Sequence, residues 1–179
     1  MSSEPDSVRF LADRAQPLVH TRLQTPGPAG VISLSQGTPD LPTPPHAIEA
    51  VRRFLDAGTV YYTFHDGMPE LREAIARKLR RENRVNYDPA TEIIVTAGAQ
   101  EAMFVALFGT LNPGDEVIVA DPRYAVYDEV LAMVGAKAAP VATDVAAGFL
   151  LRPDAIEAAV TAKTKGILII SPDHPSGAI

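Results

Sequence analysis

The segment "TAGAQEA" (96–102) contains residue types that suit the binding of an anion. A short apolar run passes into a helical pattern through Gly98 and Ala99, which carry almost no side chain, and Gln100 follows. The first amides of a helix have no acceptor within the helix, and the helix dipole favours negative charge at this end. The segment is therefore either a phosphate-binding turn or an ordinary tight turn in which small residues permit close packing.

Two further segments place an aromatic ring and an imidazole directly after apolar runs. In "DPRYAVY" (121–127) a proline ends the run and Tyr124 follows. Its ring could stack on a flat ligand, or Tyr124 could be an ordinary half-buried tyrosine. In "SPDHPSG" (171–177) two prolines restrict the backbone and leave His174 as a polar side chain that could face a ligand or the solvent.

The elements around these segments predict where they lie in the fold. Apolar runs rich in β-branched residues occur at 92–96, 117–120, 138–142 and 166–170, and helical patterns occupy 99–111, 125–134 and 153–162. Strands that alternate with helices of this length predict a mainly parallel sheet, and the lack of polar alternation predicts helices on both faces. We therefore expect an α/β fold with three layers, αβα. Ligands bind beyond the carboxyl ends of such strands, so the three segments should meet at one edge.

The first half of the chain is organised differently. Helical patterns are predicted at 46–56 and 68–83, and repeated proline and glycine between residues 25 and 45 favour an extended, turning path. We expect residues 1–44 to form an N-terminal arm and a segment of a smaller domain. Residues 45–179 are expected to form a large domain that binds the ligand.

Composition excludes several classes of function. The 179 residues are 46% hydrophobic, carry a net charge of −6 and contain no cysteine. This acidic balance argues against nucleic-acid and membrane partners, and the basic cluster at 77–84 is typical of a solvated helix face. Without cysteine there is no disulfide framework or thiolate chemistry, and we predict no metal site. No signal peptide or spanning segment is evident, so we expect a cytoplasmic protein.

Five segments, in order, resemble those of the class I/II aminotransferases of fold type I, which depend on pyridoxal 5'-phosphate. They are "ISLSQGTPDLPTP", "YYTFHDGMPELREAIA", "TAGAQEA", "NPGDEVIVADPRYAVY" and "SPDHPSG". The resemblance runs from about Val31 to the end of the chain. It implies the N-terminal part of such an enzyme, with an incomplete large domain and a homodimeric assembly that uses an amino acid and a 2-oxo acid as substrates.

The resemblance also implies roles for individual residues. Gly98, Ala99 and Gln100 would hold the cofactor phosphate, and Tyr124 would stack on the pyridine ring. Tyr62 would reach the phosphate in the neighbouring subunit, and Gly37 would approach the substrate carboxylate.

His174 stands where the family has an asparagine that donates a hydrogen bond to the phenolic oxygen of the cofactor. An imidazole also carries a donor N–H, so we expect the contact to be kept, although the ring is bulkier than an amide.

The resemblance implies transamination in the complete protein. The lysine that forms the Schiff base is expected beyond Ile179, since none of the four lysines has the family's setting, and the isolated 179 residues are expected to be inactive. The alternatives are a pyridoxal-phosphate-dependent lyase on the same fold and a non-catalytic relative.

Overall fold

The computed structural model describes residues 30–32, 37, 39–58 and 60–179. The described residues form two compact units, one within Arg22–Thr96 and one comprising Ala97–Ile179. Most of the N-terminal arm, residues 1–29, lies outside the described part of the chain. The predicted domain boundary after residue 44 stays a prediction.

The described residues of the unit within Arg22–Thr96 form two α-helices, α1 (Pro45–Asp56) and α2 (Pro69–Lys78). Each begins with a proline, whose fixed φ suits the first turn and whose missing N–H has no helical acceptor there in any case. The chain continues from α2 through a π-helical turn, Leu79–Asn83, and ends it at the left-handed Arg84. The helices predicted at 46–56 and 68–83 are thus present to within one residue.

The basic cluster at 77–84 spans the end of α2 and the turn after it, faces the solvent, and has acidic partners for Arg77, Lys78 and Arg81. Arg77 lies 3.5 Å from Glu73, and Lys78 lies 3.4 Å from Glu82. Hydrogen bonds from Arg81 and Lys78 lower the pKa of Glu82. The cluster is therefore a solvated helix face with its own counter-ions, as its composition predicts.

The strand predicted at 92–96 is wrong for the described structure. Residues 93–96 have no regular secondary structure, and the sheet of the described residues does not include them. Val95 instead donates its backbone N–H to the carbonyl of Asp66 at 3.0 Å. Ile93 is buried and Ile94 is exposed, but Val95 and Thr96 are both half-buried, so the alternation of a strand is not continued.

The unit Ala97–Ile179 contains a parallel three-stranded sheet. Its strands are β1 (Glu116–Asp121), β2 (Lys137–Ala142) and β3 (Thr164–Ile167), in the spatial order β2-β1-β3. Pro140 cannot donate to a ladder, and β2 accordingly lies at an edge of the described sheet. Because β1 and β3 are parallel neighbours, the loops that leave their carboxyl ends emerge side by side.

Three α-helices alternate with these strands: α3 (Ala99–Thr110), α4 (Val126–Val134) and α5 (Pro153–Ala159). The predicted helices are present, although α5 ends three residues early, at Ala159. A 3₁₀ turn, Val145–Ala147, lies between β2 and α5, with Asp144 capping it by accepting a hydrogen bond from Ala146.

The core of this unit lies on both faces of β1. Val117 and Val119 point to one face, where they pack with Leu131 and Val134 of α4. Ile118 points to the other face and is fully buried. A central strand that is buried on both sides fits the predicted three-layer αβα arrangement.

Candidate functional site

The turn before α3 is built from residues with little or no side chain. Gly98 caps the helix with φ 84° and ψ 175°, a region that glycine enters more easily than any other residue. No atom outside its immediate neighbours lies within 4 Å of the point where a Cβ would stand. The space beside the turn is therefore open to a ligand.

The N-terminus of α3 presents backbone amides that have no acceptor inside the helix. Ala102 is the first residue whose N–H reaches a carbonyl in the helical pattern, that of Gly98 at 3.3 Å. The amides of Ala99 and Gln100 precede it and, with the helix dipole, favour an anion. These two residues were predicted to bind phosphate together with Gly98.

Glu101 acts on the same turn and was missed by the sequence reasoning. Its carboxylate accepts a hydrogen bond from the backbone N–H of Ala97. The contact resembles half of a capping box, but the N-cap is Gly98 and the acceptor bonds to the residue before it, so the sequence carried only the spacing of the glutamate. The contact fixes the turn that precedes the helix, and it places a negative charge beside the open space.

Tyr124 lies in the loop between β1 and α4 and contacts both other predicted segments. Its hydroxyl accepts a hydrogen bond from Nε2 of Gln100 at 3.3 Å. Its ring centroid lies 4.9 Å from that of His174, with the two planes at 68°. The structure thus brings together Gln100, Tyr124 and His174, one from each of the three segments.

A second aromatic contact holds Tyr124 from within its own segment. The ring of Tyr127 lies 5.6 Å away at an interplanar angle of 85°. Both ring contacts of Tyr124 are edge-to-face, a favourable arrangement for aromatic quadrupoles. Partial burial, followed by the charges of Asp173 and Tyr124, raises the pKa of Tyr127, so its phenol is neutral at physiological pH.

The loop that carries His174 is closed by its own hydrogen bonds. The N–H of Asp173 donates to the carbonyl of Ala178, and the N–H of Gly177 donates to the carbonyl of Asp173, both at 2.8 Å. The hydroxyl of Ser176 donates to the carboxylate of Asp173 at 2.5 Å. Gly177 has φ 75°, which permits the turn. His174 itself is exposed at the outside of this closed loop.

The positive charge of Arg123 is paired with two carboxylates, so its role at the site is structural. Its guanidinium lies 3.0 Å from Asp128 and 3.3 Å from Asp121, and its side chain is only 18% exposed. Two carboxylates against one guanidinium hold the loop before α4 in place. The sequence places Arg123 at this edge but gives no sign of the two partners.

An apolar cavity of about 240 Å³ lies beneath the same edge of the sheet. Val119, Phe149, Leu168 and Ile170 line it, and Tyr127 and Asp173 contribute its polar wall. The surrounding protein atoms keep Tyr127 partly out of water and Asp173 adds a nearby negative charge, which together explain the direction of its pKa.

Two predicted site residues lie in the other unit. Tyr62 precedes α2 and its side chain is fully exposed, and Gly37 is an exposed residue before α1. Their predicted contacts with cofactor and substrate stay predictions.

None of the four lysines lies in the loops that carry Gly98, Tyr124 and His174. Lys137 begins β2, Lys163 immediately precedes β3 and Lys165 is the second residue of β3. All three are at or near the amino ends of strands, opposite the edge where Tyr124 and His174 emerge. Lys78 ends α2 and pairs with Glu82.

The residues at this edge fit a planar phosphorylated cofactor. Amides at a helix N-terminus and an open glycine position suit a phosphate, and the tyrosine provides an aromatic surface beside them. Among the described residues no cluster of side chains could hold a metal ion, and no helix is long and apolar enough to cross a bilayer.

Comparison with known proteins identifies the family. The aspartate/prephenate aminotransferase of Cereibacter sphaeroides is 42% identical over 148 residues, which are 83% of this chain and 37% of that protein. A probable N-succinyldiaminopimelate aminotransferase of Mycobacterium tuberculosis is 41% identical over 152 residues, or 84% of this chain and 38% of its own length. The chain thus spans less than two-fifths of these relatives.

A solved structure gives the same relationship in three dimensions. The aspartate aminotransferase of Thermus thermophilus with maleate superposes with a TM-score of 0.77 at 42% identity, covering 79% of this chain and 37% of that chain. The model of the family described as aminotransferase class I and II matches residues 29–179. The chain therefore belongs to the class I and II aminotransferases.

Proposed function

We propose that the complete protein is a pyridoxal-phosphate-dependent aminotransferase that transfers an amino group between an amino acid and a 2-oxo acid. The observation that carries this proposal is the contact of Gln100, Tyr124 and His174 beside the N-terminus of α3. Membership of the family supports it, and the relatives compared above are named aminotransferases rather than lyases.

In this proposal the N-terminus of α3 binds the phosphate group. The backbone amides of Ala99 and Gln100 donate to phosphate oxygens, and Gly98 allows the anion to approach the backbone. The partial positive charge at the helix end offsets the charge of the anion. The carboxylate of Glu101 is already engaged by Ala97, and this bond holds it at the rim of the turn.

Tyr124 and His174 orient the ring. The face of Tyr124 stacks on the pyridine ring, and an N–H of His174 donates to the phenolic oxygen of the cofactor. When bound, pyridoxal phosphate supplies the electron sink that stabilises negative charge at the α-carbon of the amino acid. The residues of this chain supply binding and orientation.

Groups outside this edge complete the site. We propose that the protein is a homodimer, in which Tyr62 of one protomer reaches the phosphate bound by its partner, and that Gly37 approaches the substrate carboxylate. The lysine that holds the cofactor covalently is expected from sequence that follows Ile179. A cytoplasmic location is proposed, consistent with the absence of cysteine from the chain.

Aspartate is the first amino donor to test. Several relatives are named for aspartate, and one solved relative contains maleate, which like aspartate is a four-carbon dicarboxylic acid. We propose a dicarboxylic amino acid as donor and 2-oxoglutarate as an acceptor.

The test uses the full reading frame, purified with and without pyridoxal phosphate. We expect transfer of the amino group from aspartate to 2-oxoglutarate, detected as glutamate, and dependence on added cofactor. The separate 179-residue chain should give no turnover. Release of ammonia without glutamate would indicate a lyase instead, and failure of the full-length protein to bind the cofactor would contradict the proposal.

A further inference from the structure

Gln100 has a side-chain contact that differs from the role its position suggests. It is the second residue of α3, where its backbone amide faces the proposed phosphate position. Its side-chain amide, however, donates to the hydroxyl of Tyr124 at 3.3 Å, across 24 residues of sequence. One residue thus joins the phosphate-binding turn to the aromatic loop.

The ring of Tyr124 is held at more than one point. Tyr127 contacts it at a centroid distance of 5.6 Å and His174 at 4.9 Å, while Gln100 holds the hydroxyl at the far end of the ring. Ring contacts alone leave the side chain free to tilt about its Cβ. A hydrogen bond at the hydroxyl restricts that tilt, because it fixes the end that is farthest from the backbone.

We propose that the side chain of Gln100 is a positioning residue, which restricts the tilt of the Tyr124 ring and leaves phosphate binding to the backbone amide of the same residue. This inference rests on the proposed function. It divides Gln100 into two parts with separate roles: the backbone binds the anion and the side chain orients the stacking ring. A ring that is oriented before the ligand arrives loses less conformational entropy on binding.

The test is a double-mutant cycle on the full-length protein with ligands that cannot react with lysine. 4-Deoxypyridoxine 5'-phosphate lacks the aldehyde, and 4-deoxypyridoxine lacks the phosphate as well. Calorimetry gives the dissociation constants of both for the wild type, Gln100→Met, Tyr124→Phe and the double variant. Methionine keeps the length and helix propensity of glutamine but cannot donate.

If the side chain acts through Tyr124, Gln100→Met weakens both ligands by the same factor, about threefold to tenfold. In the Tyr124→Phe background the same substitution then has no further effect, because the acceptor is already gone. Additive losses, or a loss confined to the phosphorylated ligand, would overturn the inference and leave the proposed function intact.

Gln100→Glu provides a rescue. A carboxylate can accept a hydrogen bond from the hydroxyl of Tyr124, so binding of 4-deoxypyridoxine should stay within about twofold of the wild type. Binding of the phosphorylated ligand should fall, since the added charge lies beside the anion. If Gln100→Glu weakens both ligands as much as Gln100→Met, the hydrogen bond does not position Tyr124. If the wild type binds neither ligand, both the inference and the proposed function fail.

Discussion

Gly67 lies against Val95 so closely that a Cβ at position 67 would stand 2.6 Å from Cγ2 of the valine. The same valine donates its N–H to the carbonyl of Asp66 at 3.0 Å. The turn that follows the Tyr62 segment is therefore packed directly on Val95, which lies shortly before the proposed phosphate turn. Glycine is required here for two reasons, the close approach and a φ of 100°.

Gly67→Ala should reduce the free energy of unfolding by about 3 kcal/mol, since it adds a steric clash to an unfavourable φ. Gly58→Ala is the matched control, because Gly58 has φ 80° but nothing within 4 Å of its Cβ position. Its loss should be about 1 kcal/mol. Urea denaturation measures both variants, and equal losses would mean that Val95 yields to the new methyl group.

The turn before α3 allows a similar comparison on one helix. Gly98→Ala places a side chain at φ 84° and ψ 175°, a region essentially confined to glycine, so it should reduce stability by about 2 kcal/mol and weaken binding of 4-deoxypyridoxine 5'-phosphate. Gly109→Ala, within the same helix and in open space, should instead increase stability by up to about 1 kcal/mol. Calorimetry and thermal unfolding of the two variants test this. A loss of stability in Gly109→Ala would contradict the prediction, because it would show that the added methyl group meets other atoms at this position of α3 in solution.

The sequence predicts which segments form helices or strands better than it predicts which segments pair with one another. The five helices follow from apolar spacing and from prolines and glycines at their ends, and they are local properties of the chain. Residues 92–96 have the composition of a strand, but a strand also needs a neighbour, and β-branched residues cannot specify one. The sheet of the described residues contains no such neighbour, so the run has no regular secondary structure.

The candidate site could be predicted at the level of loops but not of contacts. Parallel strands place Tyr124 and His174 at one edge, because consecutive loops leave the same ends of neighbouring strands. The bond from Gln100 to Tyr124 depends on side-chain conformations in two segments 24 residues apart, and no periodicity encodes it. The pairing of Arg123 with Asp128 is of the same kind.

Arg72 provides a test of buried charge. Its residue surface is 8% exposed, and its guanidinium contacts the carboxylate of Asp66 and, at 3.2 Å, the carbonyl of Ala90. Asp66→Ala leaves a buried cation without its counter-ion, so we expect a loss of about 2–3 kcal/mol. Arg72→Met should lose less, about 1 kcal/mol, because the side chain of Asp66 is 40% exposed and can be solvated.

The control for this pair is an ion pair at the surface. Arg53 and Glu49 lie 3.3 Å apart with side chains 66% and 69% exposed, so Glu49→Ala should change stability by less than about 0.5 kcal/mol. Chemical denaturation of all three variants gives the values. A larger loss in Arg72→Met than in Asp66→Ala would contradict the reasoning that desolvation of the guanidinium dominates.

Tyr127 gives a prediction for alkaline pH. Partial burial, with the charges of Asp173 and Tyr124, raises its pKa above the ordinary value of 10.0, so the folded protein binds the phenolic proton more tightly than the unfolded chain. The stability that results is complete below pH 10 and is lost as the pH rises through the higher folded pKa.

Tyr127→Phe removes the titrating group. The wild type should therefore lose stability more steeply than Tyr127→Phe as the pH rises above 10.0, as measured by urea unfolding at each pH. Tyr61→Phe, at a side chain that is 81% exposed, controls for the loss of one phenol. Parallel stability curves for the wild type and Tyr127→Phe would contradict the prediction, because they would show that the phenol ionises as easily in the folded protein as in the unfolded chain.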